Sequence, residues 1–245
     1  MTIVKPTLVL VPGLMCDATS WGSIPSGLPE FDCRVVDHGM ASSITQMATQ
    51  LLAQAPQSFA LAGHSMGGRV ALEVMRIAPN RVTHLGLFDT GFMPKAAGST
   101  GEEEVRKRMA LLALAQTQGV RAMATEWVKG MVAPHRLADT ALIESILAMF
   151  ERKNATIFEH QLRALIERPD ATTVLQQLRV PTLILCGELD AWAPPAQHQS
   201  MADHIPNIPK IVAIPHCGHM AMQEQPESVI QAMRQWLAQS MEQAC

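Results

Sequence analysis

The chain has 245 residues, 48% of them hydrophobic and 17% charged, with a formal net charge of -3. That length buries one good core, so one globular domain is expected, and the charge balance offers no basic field to attract nucleic acid or anionic lipid. There is no tyrosine, which excludes any mechanism that needs a phenol as catalytic acid.

The opening MTIVKPTLVLVPG carries one lysine and an apolar run that Pro6 and Pro12 bound too tightly for a signal segment. No stretch approaches about 18 apolar residues, so a cytoplasmic protein without a membrane span is expected. Cys16, Cys33, Cys186, Cys217 and Cys245 are odd in number, scattered and without a C-x-x-C pair. That suits reduced, buried thiols better than a disulfide framework or a zinc site.

Short β-branched or leucine-rich runs recur at 7–11, 33–37, 58–63, 82–88, 180–186 and 208–214, each followed by turn residues and a helical period. This alternation predicts an α/β domain with a mostly parallel sheet of about six strands flanked by helices. Ile44, Met47, Ala48, Leu51 and Leu52 share one helical face, opened by Ser43 with Gln46 at capping-box spacing. Val70, Ala71, Val74, Ile77 and Ala78 form a second face, with Pro79 just past its end. Val229, Ile230, Met233, Trp236 and Leu237 form a third, after Pro226. From about 94 to 175 the alternation stops and helical stripes follow one another without a strand. They are Val105, Met109 and Leu112; Val120, Met123, Trp127 and Met131; Leu142, Ile146, Leu147 and Phe150; then Phe158, Leu162, Leu165 and Ile166. Thr100 with Glu103 suggests a capping box for the first. The domain division is therefore a core of 1–93 and 176–245, with 94–175 as an inserted helical cap.

The stretch LAGHSMGGRVAL, 61–72, places Ser65 at G-x-S-x-G spacing between an apolar run and an amphipathic helix. A serine hydroxyl is a poor nucleophile at neutral pH unless a base lies within hydrogen-bond reach and donors await the charge it creates. A sharp strand-to-helix turn presents such a serine, and Gly63 and Gly67 remove the side chains that would collide there. A phosphate-binding turn is disfavoured, because there is no G-x-G-x-x-G and no lysine in the turn.

Partners are then required in later loops. LILCGELDAWAPP delivers Asp190 beyond the fifth strand, and IVAIPHCGHMAMQEQPE delivers His219, with His216 beside it, beyond the sixth. Asp89 also ends a strand and competes with Asp190, but the Gly187 and Pro-Pro turn presents Asp190 more openly. His64 reads as a packed, hydrogen-bonded residue rather than a base. The histidine pair in HCGH has no companion cluster at metal-ligand spacing. For the oxyanion, the backbone N–H of Met66 is one donor, and Pro12-Gly13 exposes a second at Leu14, with Met15 as the alternative.

With these residues in place the chain resembles the α/β-hydrolase superfamily, and within it the small bacterial esterase-like members with a helical cap. The resemblance rests on PG at 12–13, GHSMGG at 63–68, GELD at 187–190 and GHMAMQEQPE at 218–227. It favours His219 over His216. It implies eight strands in the full family; since nothing before residue 7 can form a first hairpin, a reduced six-stranded core is expected. Many members carry His-Gly in the oxyanion loop where this chain has Pro12-Gly13, and DHGMASS after the second strand is shorter than usual.

Haloalkane dehalogenases and epoxide hydrolases place an aspartate where Ser65 stands, and the latter also need cap tyrosines. Cofactor-free haloperoxidases share the same three residue types but typically carry an aromatic residue at the position of His64. The reading that follows is a carboxylesterase for small or medium acyl esters, working through Ser65, His219 and Asp190 with an acyl-enzyme intermediate. Its pocket would lie between core and cap, lined by Met15, Trp127 and Trp192. Carbon-carbon bond hydrolysis or lactone opening by the same three residues is the close rival, and a non-catalytic small-ligand sensor is the rival of another class. A likeness to the carrier-protein methyl esterases of biotin synthesis is visible as well. No cofactor is implied, and the partner expected is a small ester-like molecule. The basic run at 106–108 reads either as recognition of an acidic substrate or, more simply, as a solvated helix face.

Overall fold

The computed structural model describes residues 5–206 and 211–239. Six strands, β1 (Thr7–Val11), β2 (Asp32–Val35), β3 (Phe59–His64), β4 (Val82–Phe88), β5 (Thr182–Gly187) and β6 (Val212–Ile214), form one sheet in the order β2-β1-β3-β4-β5-β6. Every pairing is parallel. Residues 208–210, which the sequence assigned to the sixth strand, lie outside the described residues. The second strand stops at Val35, two residues short of expectation, and β5 begins at Thr182, after Pro181, which has no N–H for a ladder.

Alternation along the strands sorts their side chains onto two faces. Val9 and Val11 of β1 join one apolar cluster, while Leu8 and Leu10 join the other. Leu61 of β3 goes with the first, and Ala60 and Ala62 with the second. Helices cover both faces, so the central strands β3 and β5 are buried throughout, while the edge strand β2 is half-buried and carries Asp32 and Arg34.

The helices are α1 (Ile24–Gly27), α2 (Ile44–Gln54), α3 (Met66–Ile77), α4 (Gly98–Gln118), α5 (Val120–Trp127), α6 (Thr140–Glu151), α7 (Ala155–Ile166), α8 (Thr172–Gln176), α9 (Pro195–Ala202), α10 (Ala221–Glu224) and α11 (Pro226–Leu237). Helices α2 and α3 pack with the first cluster, and α11, through Val229, Met233 and Trp236, with the second. Ser43 caps α2 by accepting from the Gln46 N–H at 3.1 Å. Gln46 reaches back one residue further than a reciprocal box requires, to the Ser42 N–H at 3.0 Å.

Between β4 and β5 the chain forms α4 to α8 and no strand. Gly98, at φ +65°, starts α4 two residues before Thr100, so Thr100 lies inside the helix and does not cap it. Glu103 instead pairs with Arg106 and Lys107. Met109, expected on the packed stripe, is 47% exposed, because α4 buries the edge formed by Gly101, Leu112 and Ala115. Trp127 stacks on Phe150 at 5.4 Å and tilts against Phe158 at 5.7 Å, tying α5, α6 and α7 together. No helix among the described residues is long and apolar enough to cross a membrane.

Candidate active site

The turn between β3 and α3 holds Ser65 at φ +54°, a left-handed conformation that costs a non-glycine residue about 1–3 kcal/mol. The surroundings enforce it. Ser65 N–H donates to the Phe88 carbonyl at 2.9 Å, while its own carbonyl accepts from Gly68 N–H at 3.0 Å and from the Thr90 hydroxyl at 2.6 Å. A Cβ at Gly63 would run into the Gly67 backbone, and one at Gly67 into the carbonyl oxygens of Val11 and Pro12. The glycines therefore let strand, turn and helix approach to backbone contact.

Ser65 Oγ lies 2.9 Å from His219 Nε2, and His219 Nδ1 lies 2.7 Å from Asp190 Oδ2. The other carboxylate oxygen of Asp190 accepts from the amides of Trp192 at 2.9 Å and Ala193 at 3.0 Å. Burial alone would raise the Asp190 carboxyl, but the His219 charge and hydrogen bond, with those two amides, bring it down to about 2. The structure thus joins three loops that are distant in the chain into one hydrogen-bonded line.

The His219 loop is gripped from three sides. Its N–H donates to the Met131 carbonyl at 2.8 Å, and its own carbonyl sits 2.8 Å from His64 Nε2. Buried Glu224 accepts from Gly218 N–H at 3.0 Å, Met220 N–H at 3.3 Å and Ala133 N–H at 2.8 Å, clamping the loop to the helical segment between β4 and β5. His64 is therefore a packed, hydrogen-bonded residue. Burial and the charge of His219 push its imidazole down to about 3, so it stays neutral.

The alternatives fall elsewhere. His216, at φ +55°, is exposed and its ring lies edge-on to His135 at 6.3 Å. Asp89 follows directly on β4 and lies beside Asp190 without a hydrogen bond to His219, its Oδ1 accepting from Gly187 N–H at 2.8 Å. Burial and the charge of Asp190 push its carboxyl well above the usual range. Asp89, Asp190 and His219 offer ligand atoms within 4.8 Å of one another, yet His219 Nδ1 and Asp190 Oδ2 are already spent on each other.

Met66 opens α3, so its N–H lacks an intrahelical partner, and Leu14 N–H has no partner among the described residues. Met15 N–H is taken by Gln161 Oε1 at 2.9 Å. Met15 itself, expected at the pocket, is fully buried and absent from its lining, since φ +62° and the Gln161 bond turn that residue into the core. Trp127 and Trp192 do line the cavity, stacked at 5.5 Å, and Trp192 meets His219 edge-on at 4.9 Å. The cavity over Ser65 holds about 550 Å³ between the sheet edge and the helices that join β4 to β5.

Sequence reasoning passed over Glu224, Gln161 and His198. His198, buried on α9, accepts from Thr90 N–H at 3.0 Å and so fixes the residue that fixes Ser65. Gln161 and His198 act on backbone groups far away in the chain, and Glu224 joins two amides of its own loop to distant Ala133, so periodicity and motif spacing mark none of them.

A parallel sheet clad by helices, with this line of side chains at its carboxyl edge, is the architecture of a hydrolase. A family model described as the alpha/beta hydrolase family matches residues 8–232, and the chain belongs to that family. It is 27% identical over 238 residues to a pimeloyl-[acyl-carrier protein] methyl ester esterase of Nitrosomonas europaea, covering 92% of this chain and 93% of that protein. Among solved structures, it is similar to a malate-bound thermophilic esterase from Thermogutta terrifontis. That match has a TM-score of 0.82 and 28% identity and covers 96% of this chain and 90% of that one. An enol-lactonase from Burkholderia xenovorans LB400 shares the fold at TM-score 0.80 and 19% identity, over 97% of this chain and 93% of its own.

Proposed function

We propose that this hydrolase is a carboxylesterase in which Ser65 is the nucleophile, His219 the general base and acid, and Asp190 the residue that orients the imidazole. The observation that carries the reading is the unbroken line from Ser65 Oγ through His219 to Asp190, opening into a cavity of about 550 Å³. The esterases of Nitrosomonas europaea and Thermogutta terrifontis support the bond type.

The ester carbonyl approaches Ser65 from the cavity. As Oγ attacks, His219 Nε2 takes its proton, and Asp190, held ionised, stabilises the imidazolium. The oxyanion falls between the N–H groups of Leu14 and Met66; Gln161 leaves Leu14 as the loop donor because it occupies Met15. His219 then returns the proton to the departing alcohol, leaving Ser65 acylated. Water, deprotonated by the same nitrogen, attacks the acyl carbonyl, and the collapse regenerates Ser65 and releases the acid. Removing an oxyanion donor or the base would each cost about 10²-fold or more in rate.

Labelling with a fluorophosphonate followed by intact mass measurement tests this directly. One adduct that disappears in S65A and H219A is expected, together with turnover of aryl esters. An adduct that survives S65A sinks the assignment, and no adduct at all favours a ligand sensor. Cleavage of a vinylogous diketone without ester turnover favours the carbon-carbon reading.

A further inference from the structure

The cavity over Ser65 is not lined by apolar groups alone. Arg69, Lys107, Arg108 and Arg168 enter its lining; Lys107 leans on Glu103 at 3.5 Å, and Glu104 is the one carboxylate hydrogen-bonded to any of the three arginines among the described residues. The group is contiguous, since Arg69 Nη1 and Arg168 Nε both donate to the Met93 carbonyl, at 2.8 and 3.3 Å.

The donors are unequally used. Arg168 is spent, with both Nη atoms on Glu104 at 2.7 and 2.9 Å. Arg108 commits only Nε, to Glu104 at 2.9 Å, and both its Nη atoms are without a partner among the described residues. Arg69 commits only Nη1, leaving Nε and Nη2. Burial, with the charges of Arg168 and Arg108, pushes Arg69 down to about 9, as befits a cation short of counter-charge. The basic run noted at 106–108 is thus split. Arg106 lies outside with Glu103 and is 69% exposed, whereas Arg108 turns inward.

Arg69 lies in the first turn of α3, four residues after Ser65, the residue that caps this helix, and both line the cavity. Arg108 faces it from α4 of the insertion. We infer that this cavity selects esters carrying a free carboxylate, the charge seated on the unused N–H groups of Arg69 and Arg108 while the ester carbonyl meets Ser65. The substrate class is then a short dicarboxylic acid esterified at one end, or an ester whose alcohol part bears the carboxylate. This deepens the esterase reading and rests on it for the reaction, though not for binding.

Two measurements keep those dependences apart. The first compares kcat/KM for 4-nitrophenyl hemi-esters of succinic, glutaric and adipic acid with their methyl-capped neutral counterparts, and for esters with the carboxylate on the alcohol instead. A charged-over-neutral ratio above about ten is expected, falling about ten-fold or more in R69Q and R108Q and with added salt, but not in R106Q. Whichever series shows the ratio identifies the charged side. The second titrates S65A with glutarate by calorimetry, where adding R69Q or R108Q weakens binding about ten-fold or more. A ratio near one in every series, or one that survives both substitutions, overturns the inference, as does glutarate binding no tighter than dimethyl glutarate. If glutarate binds through the arginines while no ester is hydrolysed, the carboxylesterase proposal fails and the anion site stands. Turnover of neutral esters without glutarate binding gives the reverse.

Discussion

Asp89 offers a sharp test of how charge is distributed beneath the serine. Its Oδ1 accepts from Gly187 N–H, while Oδ2 is buried with no partner among the described residues, close to ionised Asp190. Two adjacent carboxylates in a buried site do not both ionise, and Asp190 is the one held low by His219. Asp89 is therefore protonated in the fold and ionised in the unfolded chain, which starts to lose that proton near the ordinary value of 3.8. An acid whose folded value is raised binds more protons in the native state, so stability falls as pH rises. The loss is about 1.4 kcal/mol for each pH unit over which the two states differ. D89N keeps the acceptor for Gly187, supplies donors where the protonated acid has one, and cannot ionise. Its stability relative to the parent protein is expected to grow as pH rises above the ordinary 3.8 toward the raised folded value, by up to about that amount per pH unit, or about 3–5 °C in melting temperature. D89A instead strands the Gly187 N–H and costs about 1–3 kcal/mol at every pH. Urea unfolding of the three proteins at pH 5, 6 and 7 decides the matter. A D89N protein less stable than the parent at pH 7, with no change in slope, would refute a neutral Asp89.

Asp190 carries the opposite sign. Its carboxyl sits at about 2 against an ordinary 3.8, so it contributes about 2 kcal/mol above 3.8 that is lost as pH falls through about 2. D190N should flatten that acid limb in urea unfolding and lower kcat about ten-thousand-fold; an unchanged limb contradicts the ion pair. E224A strands three buried N–H groups and is expected to cost about 3 kcal/mol or more, while E224Q, which keeps one acceptor oxygen, costs less. Equal losses in denaturant unfolding would remove the clamp. G67A sets a methyl against two carbonyl oxygens and should destabilise by about 3 kcal/mol, read from the melting temperature; a neutral result would mean that β1 and α3 can separate freely.

Much of this was legible before any coordinates. The strands at 7–11 and 82–88 fall where their apolar runs lie, because the parts of a strand buried on both faces, Leu8–Val11 and Leu85–Phe88, admit little but small or apolar residues. Ser65, Asp190 and His219 could be found as a set because each sits in a turn after a strand, where glycine and proline mark the chain's bends. Thr100 and Met109 were misread, because capping spacing and helical period say nothing about where a helix starts or which edge finds a neighbour.

The sequence alone therefore determined the alternation of strand and helix, the parallel sheet and the loops that carry Ser65, Asp190 and His219, since these depend on local periodicity and turn chemistry. Only the tertiary structure decided that Gln161 closes off Met15, that Glu224 ties the histidine loop to Ala133, that Asp89 pairs with Gly187, and that Arg69 and Arg108 face one cavity. Each of those is an encounter between groups far apart in the chain. Hydrogen bonds and charges act through space over a few ångströms, and linear spacing carries no record of which distant residues will meet.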